Sequence, residues 1–263
     1  MEQDYDYEVG VVGGGPAGLT TALYTKRLGH DTIVLNRGGG RCAMMADTHN
    51  VLGITEDTSG MELLQTGIDQ VKEYGAEYRQ TTVTDVQKGS DGVFEIESDD
   101  GQTVRTKRVV LATGFSDGHP PSPAPRTARG LHYCLHCDAH TFRDEYTYVM
   151  GHNDSAAKVA MVMLNFTDQV DLLLQGEEPQ WSKETDERLE QHPVTVIREE
   201  VTGVTNEDGW LSSLEFEDGS EREYKGGFAM YGSTYHNELA DNLGCDLNDD
   251  GSVVVTEHGE TTV

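Results

Sequence analysis

At 263 residues the chain is long enough for one large or two smaller folded units, and its 36% hydrophobic residues mark a sequence that buries a core. Its 47 Asp plus Glu against 19 Lys plus Arg give a formal net charge of −28, which repels nucleic acid and anionic lipid, because their phosphates need cationic partners. No apolar run approaches the roughly 18–20 residues that span a bilayer, and the acidic start Met1-Glu2-Gln3-Asp4 lacks the plan of a signal peptide.

A cytoplasmic protein without nucleic-acid or membrane partners is therefore expected. The acidity reads either as solvation of a surface working in strong salt, a halophilic trait, or as a docking face for a basic partner.

In chain order, Val9–Val12 reads as a buried strand, followed by the turn Gly13-Gly14-Gly15-Pro16-Ala17-Gly18 and a helix carrying Leu19, Ala22, Leu23 and Leu28. Gly29 stops that helix and Ile33-Val34-Leu35 forms the next strand, completing a βαβ unit. Ser59-Gly60-Met61-Glu62 has the form of a capping box, opening a helix whose apolar face is Met61, Leu64, Ile68 and Val71 and which ends at Gly75. Thr82–Val86, Val93–Ile96 and Thr103–Val104 then alternate between turn residues as a three-stranded meander does. Val109-Val110-Leu111 returns as a continuous apolar strand, the pattern of a parallel sheet covered on both faces, and runs into Ala112-Thr113-Gly114.

The second half repeats the plan. Tyr148-Val149-Met150 is a strand, Gly151–Ala156 a turn, Ala157–Asn165 a helix and Val170–Leu174 the next strand. A second meander is expected through Val194–Ile197, Val201–Val204 and Leu211–Phe216, with Phe228-Ala229-Met230 as the returning strand. Pro120, Pro121, Pro123 and Pro125 mark a connector that cannot be helical. Two copies of one plan predict an α/β protein of two Rossmann-like three-layer domains. The first domain, with its meander, occupies 1–117. A second, inserted domain occupies 118–230, and 231–263 return to the first.

Three features carry chemistry. In the first turn, Gly13 permits the tight bend, Gly15 lets backbone approach a pyrophosphate, and Gly18 lets the helix pack closely on the strand. The position that usually binds a ribose hydroxyl through an acid is Asn36, which accepts a hydrogen bond without charge assistance. In the second turn, Gly151-His152-Asn153-Asp154-Ser155-Ala156, a side chain replaces the middle glycine and obstructs a pyrophosphate, while Glu177 and Glu178 repel a 2′-phosphate.

The third feature is Cys134-Leu135-His136-Cys137-Asp138, a CxxC followed by a carboxylate, which in a cytoplasmic chain points to catalysis or metal. At a helix start, dipole and backbone N–H groups favour thiolate. The competing reading is zinc, since His132, Cys134, His136, Cys137 and His140 offer two thiols and imidazoles close together. Cys42 and Cys245 are solitary and read as packing residues.

With these motifs in this order, nearly the whole chain resembles the low-molecular-weight thioredoxin reductases and their relatives, which are FAD-dependent pyridine nucleotide-disulfide oxidoreductases. The resemblance implies FAD held by Gly13, Gly15, Pro16, Ala17, Gly18, Asn36, Arg37, Ala112, Thr113 and Gly114, with backbone near Val83 at the adenine. It implies that Cys137 faces the flavin, that Cys134 attacks the substrate disulfide, and that Asp138 protonates a leaving thiolate, with His136 and His140 sharing that work. A thioredoxin-like protein or a small dithiol or disulfide is the implied partner, and a homodimer the implied assembly.

The chain departs from the family in two ways. It lacks the closing Ala-x-Gly-Asp segment, so it is expected to be a fragment or to bind flavin incompletely. It also lacks the His-Arg-Arg motif of NADPH users, which makes NAD(P)H doubtful and brings in the family's ferredoxin-dependent and dithiol-oxidase branches. The leading expectation is a thioredoxin-reductase-like disulfide oxidoreductase. The alternatives are an oxygen-using dithiol oxidase and a non-catalytic zinc- or nucleotide-binding regulator.

Overall fold

The computed structural model describes residues 4–48, 50–55 and 57–263; Met1-Glu2-Gln3 of the acidic start lie outside the described residues. The chain divides into two compact units, one of Met1–Thr48, Gly53–Ser116 and Thr234–Val263, the other of His49–Leu52 and Asp117–Ser233.

In the first unit, β1 (Tyr7–Val12) leads into α1 (Pro16–Arg27) and β2 (Thr32–Asn36), then α2 (Gly60–Glu73) and β3 (Glu77–Gln80). The meander β4 (Val83–Lys88), β5 (Phe94–Ser98) and β6 (Thr103–Leu111) follows. Strands order as β3-β2-β1-β6-β5-β4. β6 serves twice, pairing antiparallel with β5 through its first half and parallel with β1 through Leu111. Successive strand residues point to opposite faces, and the core divides accordingly. Val9, Val11 and Val34 pack with Leu19, Leu64 and Val71 of the helices, while Val12, Ile33 and Leu35 pack with Val86, Phe94, Ile96 and Val104 of the meander.

The predicted capping box forms: Glu62 N–H donates to Ser59 Oγ at 3.2 Å and Ser59 N–H donates to the Glu62 carboxylate at 2.8 Å. Two side chains depart from the expected apolar faces. Met61, in the first turn of α2, is 59% exposed, and Leu28 caps α1 from outside the helix with 75% exposure. β3 carries the polar string Glu-Tyr-Arg-Gln, which gives no strand signal; parallel pairing with β2 makes it a strand.

After β7 (Phe115–Asp117), the second unit contains β8 (Leu131–His132), the single helical turn α3 (Leu135–Asp138), β9 (Thr147–Met150), α4 (Asp154–Met163), β10 (Val170–Leu173), α5 (Lys183–Leu189) and β11 (Val194–Ile197). Then come β12 (Val201–Glu207), β13 (Trp210–Phe216), β14 (Glu221–Glu223) and β15 (Gly226–Ala229). β16 (Ser233–Tyr235) and α6 (Glu238–Asn242) end the series.

The second unit's parallel sheet has the order β11-β10-β9-β15-β8, and β12-β13-β14 form its meander. The expected second meander is therefore displaced by one strand. Val194–Ile197 pairs parallel with β10, and Glu221–Glu223 supplies the third antiparallel strand. The alternation Val-Thr-Val-Ile suits a half-covered parallel edge as well as a meander, and only pairing separates the two.

A polar knot ties this meander to the sheet. Asp171 on β10, 1% exposed, accepts hydrogen bonds from Tyr146 (2.9 Å), Arg222 (2.9 Å) and Tyr224 (2.6 Å). Burial, then the Asp171 carboxylate, pushes the Tyr224 hydroxyl far above its ordinary range. Asp171→Ala leaves Arg222 and two tyrosines without their acceptor. Because Arg222 is itself partly solvated, the expected cost is about 2–3 kcal/mol, measured as a lower urea midpoint at unchanged slope.

Candidate functional site

In the first unit, the strand order reverses between β1 and β6, and the glycine turn sits at that switch point. Gly13 has φ +107°, and a Cβ there would lie 2.2 Å from Ala112 O; a Cβ on Gly18 would lie 1.9 Å from Gly13 O. Both glycines are thus required by close backbone contact. Gly15 is different: a Cβ there meets nothing within 4 Å, and α1 begins at it with Pro16 in the first turn and no side-chain cap. An uncapped helix start beside open space, with Ala17 and Gly18 contributing first-turn N–H groups, fits the pyrophosphate of a dinucleotide such as FAD.

Asn36 ends β2 beside the glycine turn. Its Oδ1 accepts from Gly14 N–H at 3.0 Å and its Nδ2 donates to the Tyr78 hydroxyl at 2.8 Å, so its amide already holds the glycine turn. Arg37 is exposed and opens the loop Gly38-Gly39-Gly40, in which all three glycines have positive φ. Val83 starts β4 opposite Ser98. Ala112 N–H donates to Val12 O at 2.8 Å, continuing the β1–β6 pairing beyond the strands. Beyond it, Thr113 Oγ1 donates to His236 O at 2.6 Å and His236 N–H donates to Gly114 O at 3.0 Å, fastening the end of β6 to the returning chain.

The corresponding place in the second unit is closed by side chains. Asn153 caps α4, accepting from Ala156 N–H at 2.9 Å, and its Nδ2 donates to Met230 O at 2.9 Å across the β9–β15 switch point. Asp154 adds a carboxylate to the same helix start, where it accepts from the Ser182 N–H at 3.3 Å and from the Thr185 hydroxyl. The Thr185 bond above all holds the Asp154 carboxyl below the usual carboxylate range. At the end of β10, Gln175 is buried and accepts from Val201 N–H at 3.0 Å, and Arg198 pairs with Glu178 at 3.3 Å. A helix start whose Ala156 N–H is already satisfied by Asn153, beside the Asp154 carboxylate, is a poor fit to the pyrophosphate of NAD(P)H.

The CxxC lies beyond the carboxyl end of edge strand β8. Cys134 precedes α3, and Cys134 and Cys137 are joined as a disulfide with Cα atoms 5.3 Å apart. α3 has only four residues, so the expected helix-dipole assistance is small, since the macrodipole builds from aligned turns. His136 and His140 are exposed, and Asp138 is half-buried.

Asp138 Oδ2 lies 3.1 Å from His132 Nδ1, a pairing for which the sequence, with His132 one of several clustered histidines, carries no signal. Asn50 Nδ2 lies 3.4 Å from Cys137 Sγ, and a separation of 87 residues left no sequence signal for it. Among the described residues no group of three or more His, Cys, Asp or Glu gathers as a metal site. Cys245 is buried, and burial pushes the Cys42 thiol up.

This two-unit arrangement corresponds to a known family. Residues 7–263 match the profile of the pyridine nucleotide-disulphide oxidoreductases. The chain belongs to that family. It is 29% identical over 267 residues to an NADH dehydrogenase of Bacillus subtilis, covering 98% of this chain and 52% of the relative. It is 29% identical over 191 residues to a thioredoxin reductase of Peptoclostridium acidaminophilum, with 71% and 60% coverage. A thioredoxin reductase of Aquifex aeolicus is also 29% identical, over 251 residues, with 89% and 75% coverage.

The chain thus spans between half and three quarters of the length of these relatives. Among solved structures, HlmI superposes with a TM-score of 0.88 at 28% identity, over 97% of this chain and 81% of that one. A thioredoxin reductase of Streptococcus pyogenes has a TM-score of 0.87 at 24% identity, over 97% and 86%, and so shares the fold. Among the described residues no helix of this family member is long and apolar enough to cross a membrane.

Proposed function

We propose that the chain is a FAD-dependent thiol–disulfide oxidoreductase of the thioredoxin reductase type. The observation that carries this reading is the Cys134–Cys137 disulfide, placed at a strand's carboxyl end in a chain whose first unit keeps an open, uncapped dinucleotide turn. FAD, when bound, supplies the two-electron acceptor or donor. Gly13, Gly15, Pro16, Ala17 and Gly18 would hold its pyrophosphate, with Asn36 at the end of β2 and Ala112–Gly114 after β6 beside that turn, and Arg37 and Val83 as further positions for it. Cys134 exchanges with the substrate, Cys137 completes the pair, and Asp138 handles the proton, with exposed His136 and His140 nearby in sequence.

The partner is a thioredoxin-like protein or a small dithiol, the assembly a homodimer and the setting a salt-rich cytoplasm. The closed helix start at Asn153 and Asp154 favours a second reading, a dithiol oxidase. In it a dithiol loses two electrons and two protons to oxygen, giving a disulfide and hydrogen peroxide.

The test is an anaerobic visible spectrum of the FAD-supplied protein in high salt. Dithiothreitol is expected to bleach the flavin, whereas NADH and NADPH do so no faster than a control lacking protein. Peroxide formed in air on adding the dithiol selects the oxidase. A bound flavin indifferent to dithiol, or stoichiometric zinc in place of flavin, would falsify the redox reading.

A further inference from the structure

We propose that His132 is a positioning residue of the redox centre, which holds the Asp138 carboxyl and shares with it the proton taken up by a thiolate leaving the Cys134–Cys137 bond. This rests on the redox reading of that cysteine pair. His132 ends β8, two residues before Cys134, and its Nδ1 lies 3.1 Å from Asp138 Oδ2, one residue after Cys137. The contact therefore straddles the CxxC.

Both side chains are largely withdrawn from water, with 17% exposure for His132 and 28% for Asp138, unlike the surface His136 and His140. Packing fixes the ring: Phe142 meets it edge-on at 5.4 Å and Phe228 lies at 5.9 Å. Among the described residues, β15 (Gly226–Ala229) meets the ring with Phe228 and the turn Ala139–Phe142 meets it with Phe142, a turn that also carries the titratable, exposed His140. Asp138 is thus the carboxylate this imidazole faces, and an imidazole–carboxylate pair holds a proton for transfer where a lone carboxylate at neutral pH does not.

Dithiol oxidation at this pair takes two thiol–disulfide exchanges. A substrate thiolate attacks Cys134 Sγ, forming a substrate–Cys134 bond and breaking Cys134–Cys137. The electron pair goes to Cys137 Sγ, which takes the proton held by His132 and Asp138. The substrate's second thiolate then attacks the substrate sulfur of the mixed disulfide, closing the cyclic disulfide and breaking the bond to Cys134 Sγ, which leaves as a thiolate and takes a proton from solvent. The dithiol loses two electrons and the cysteine pair gains them.

His132→Asn keeps a donor for Asp138 but cannot carry the proton. Reduction of Cys134–Cys137 by dithiothreitol, followed by acid quench and alkylation of the new thiols, reads the step without the flavin. At matched dithiothreitol thiolate, the variant is expected to be about tenfold slower than the parent at pH 6, where a leaving cysteine thiolate must be given a proton, and to converge on it at pH 9, where a cysteine thiolate leaves without one.

An unfolded His132→Asn would leave Asp138→Asn to report from the other side, and it should show the same pH-dependent deficit. A double variant no slower than Asp138→Asn alone supports action through Asp138. A deficit equal at every pH, or none, overturns the proposal. Failure of the parent protein's flavin to respond to dithiol would instead remove the redox reading beneath it.

Discussion

Cys134→Ser is expected to cut dithiol turnover by a thousandfold or more while leaving bound FAD unchanged. A serine hydroxyl is almost wholly protonated at neutral pH and cannot stand in for a thiolate, and removal of a nucleophile commonly costs several orders of magnitude. The flavin should stay because the residues fitted to its pyrophosphate, Gly13 to Gly18, belong to the other unit of the chain. The fold should survive as well. The disulfide closes a ring of only three sequence steps, and so short a loop contributes roughly 2 kcal/mol in the chain-entropy account. Steady-state dithiol oxidation together with the FAD-to-protein ratio after gel filtration measures both halves of the expectation. Substantial turnover in the variant would move the chemistry away from this cysteine pair.

The second large effect separates two glycines of one turn. Gly15 has ordinary backbone angles and open space where a Cβ would stand. Gly15→Ala should therefore cost the flavin-free protein no more than about 1 kcal/mol, the scale of an unfavourable helix cap. The methyl group would nonetheless stand where the pyrophosphate approaches the helix start. Loss of one or two charge-assisted bonds of about 1.5–3 kcal/mol each weakens FAD by roughly ten- to a hundredfold or more. Gly18→Ala should behave in the opposite way, because its Cβ would lie 1.9 Å from Gly13 O and must push helix from strand before any ligand is considered. Thermal melts without FAD, paired with flavin titrations, distinguish the two. Equal losses of stability in both variants would contradict this account of the turn.

These contrasts show how much the amino-acid order reveals. β1, β2, the Ser59 capping box and the glycine turn were legible because each is a local pattern whose physical reason lies within a few residues. β3 was not, since Glu-Tyr-Arg-Gln becomes a strand only when β2 offers its edge. The second meander shifted by one strand for a similar reason, as Val194–Ile197 alternates in a way that two different partners would accept. At the cysteines, the motif revealed the sulfur chemistry but not Asn50, brought in from 87 residues away. His132 was visible only as one histidine among several until its distance to Asp138 was known. Asn153 was read as an obstruction; the structure adds that it is a cap and a clasp on Met230.

That clasp has a thermodynamic consequence. A dinucleotide crevice ordinarily leaves helix N–H groups for its ligand to satisfy, so the fold gains stability in proportion to the logarithm of ligand concentration. The first unit retains this dependence and is coupled to the supply of FAD. In the second unit the covalently attached Asn153 amide satisfies one such N–H itself and ties the turn to Met230, so that part of the unit's stability needs no ligand. One plan thus appears twice in the chain, once with its helix start open and once with its helix start held by the chain's own side chains.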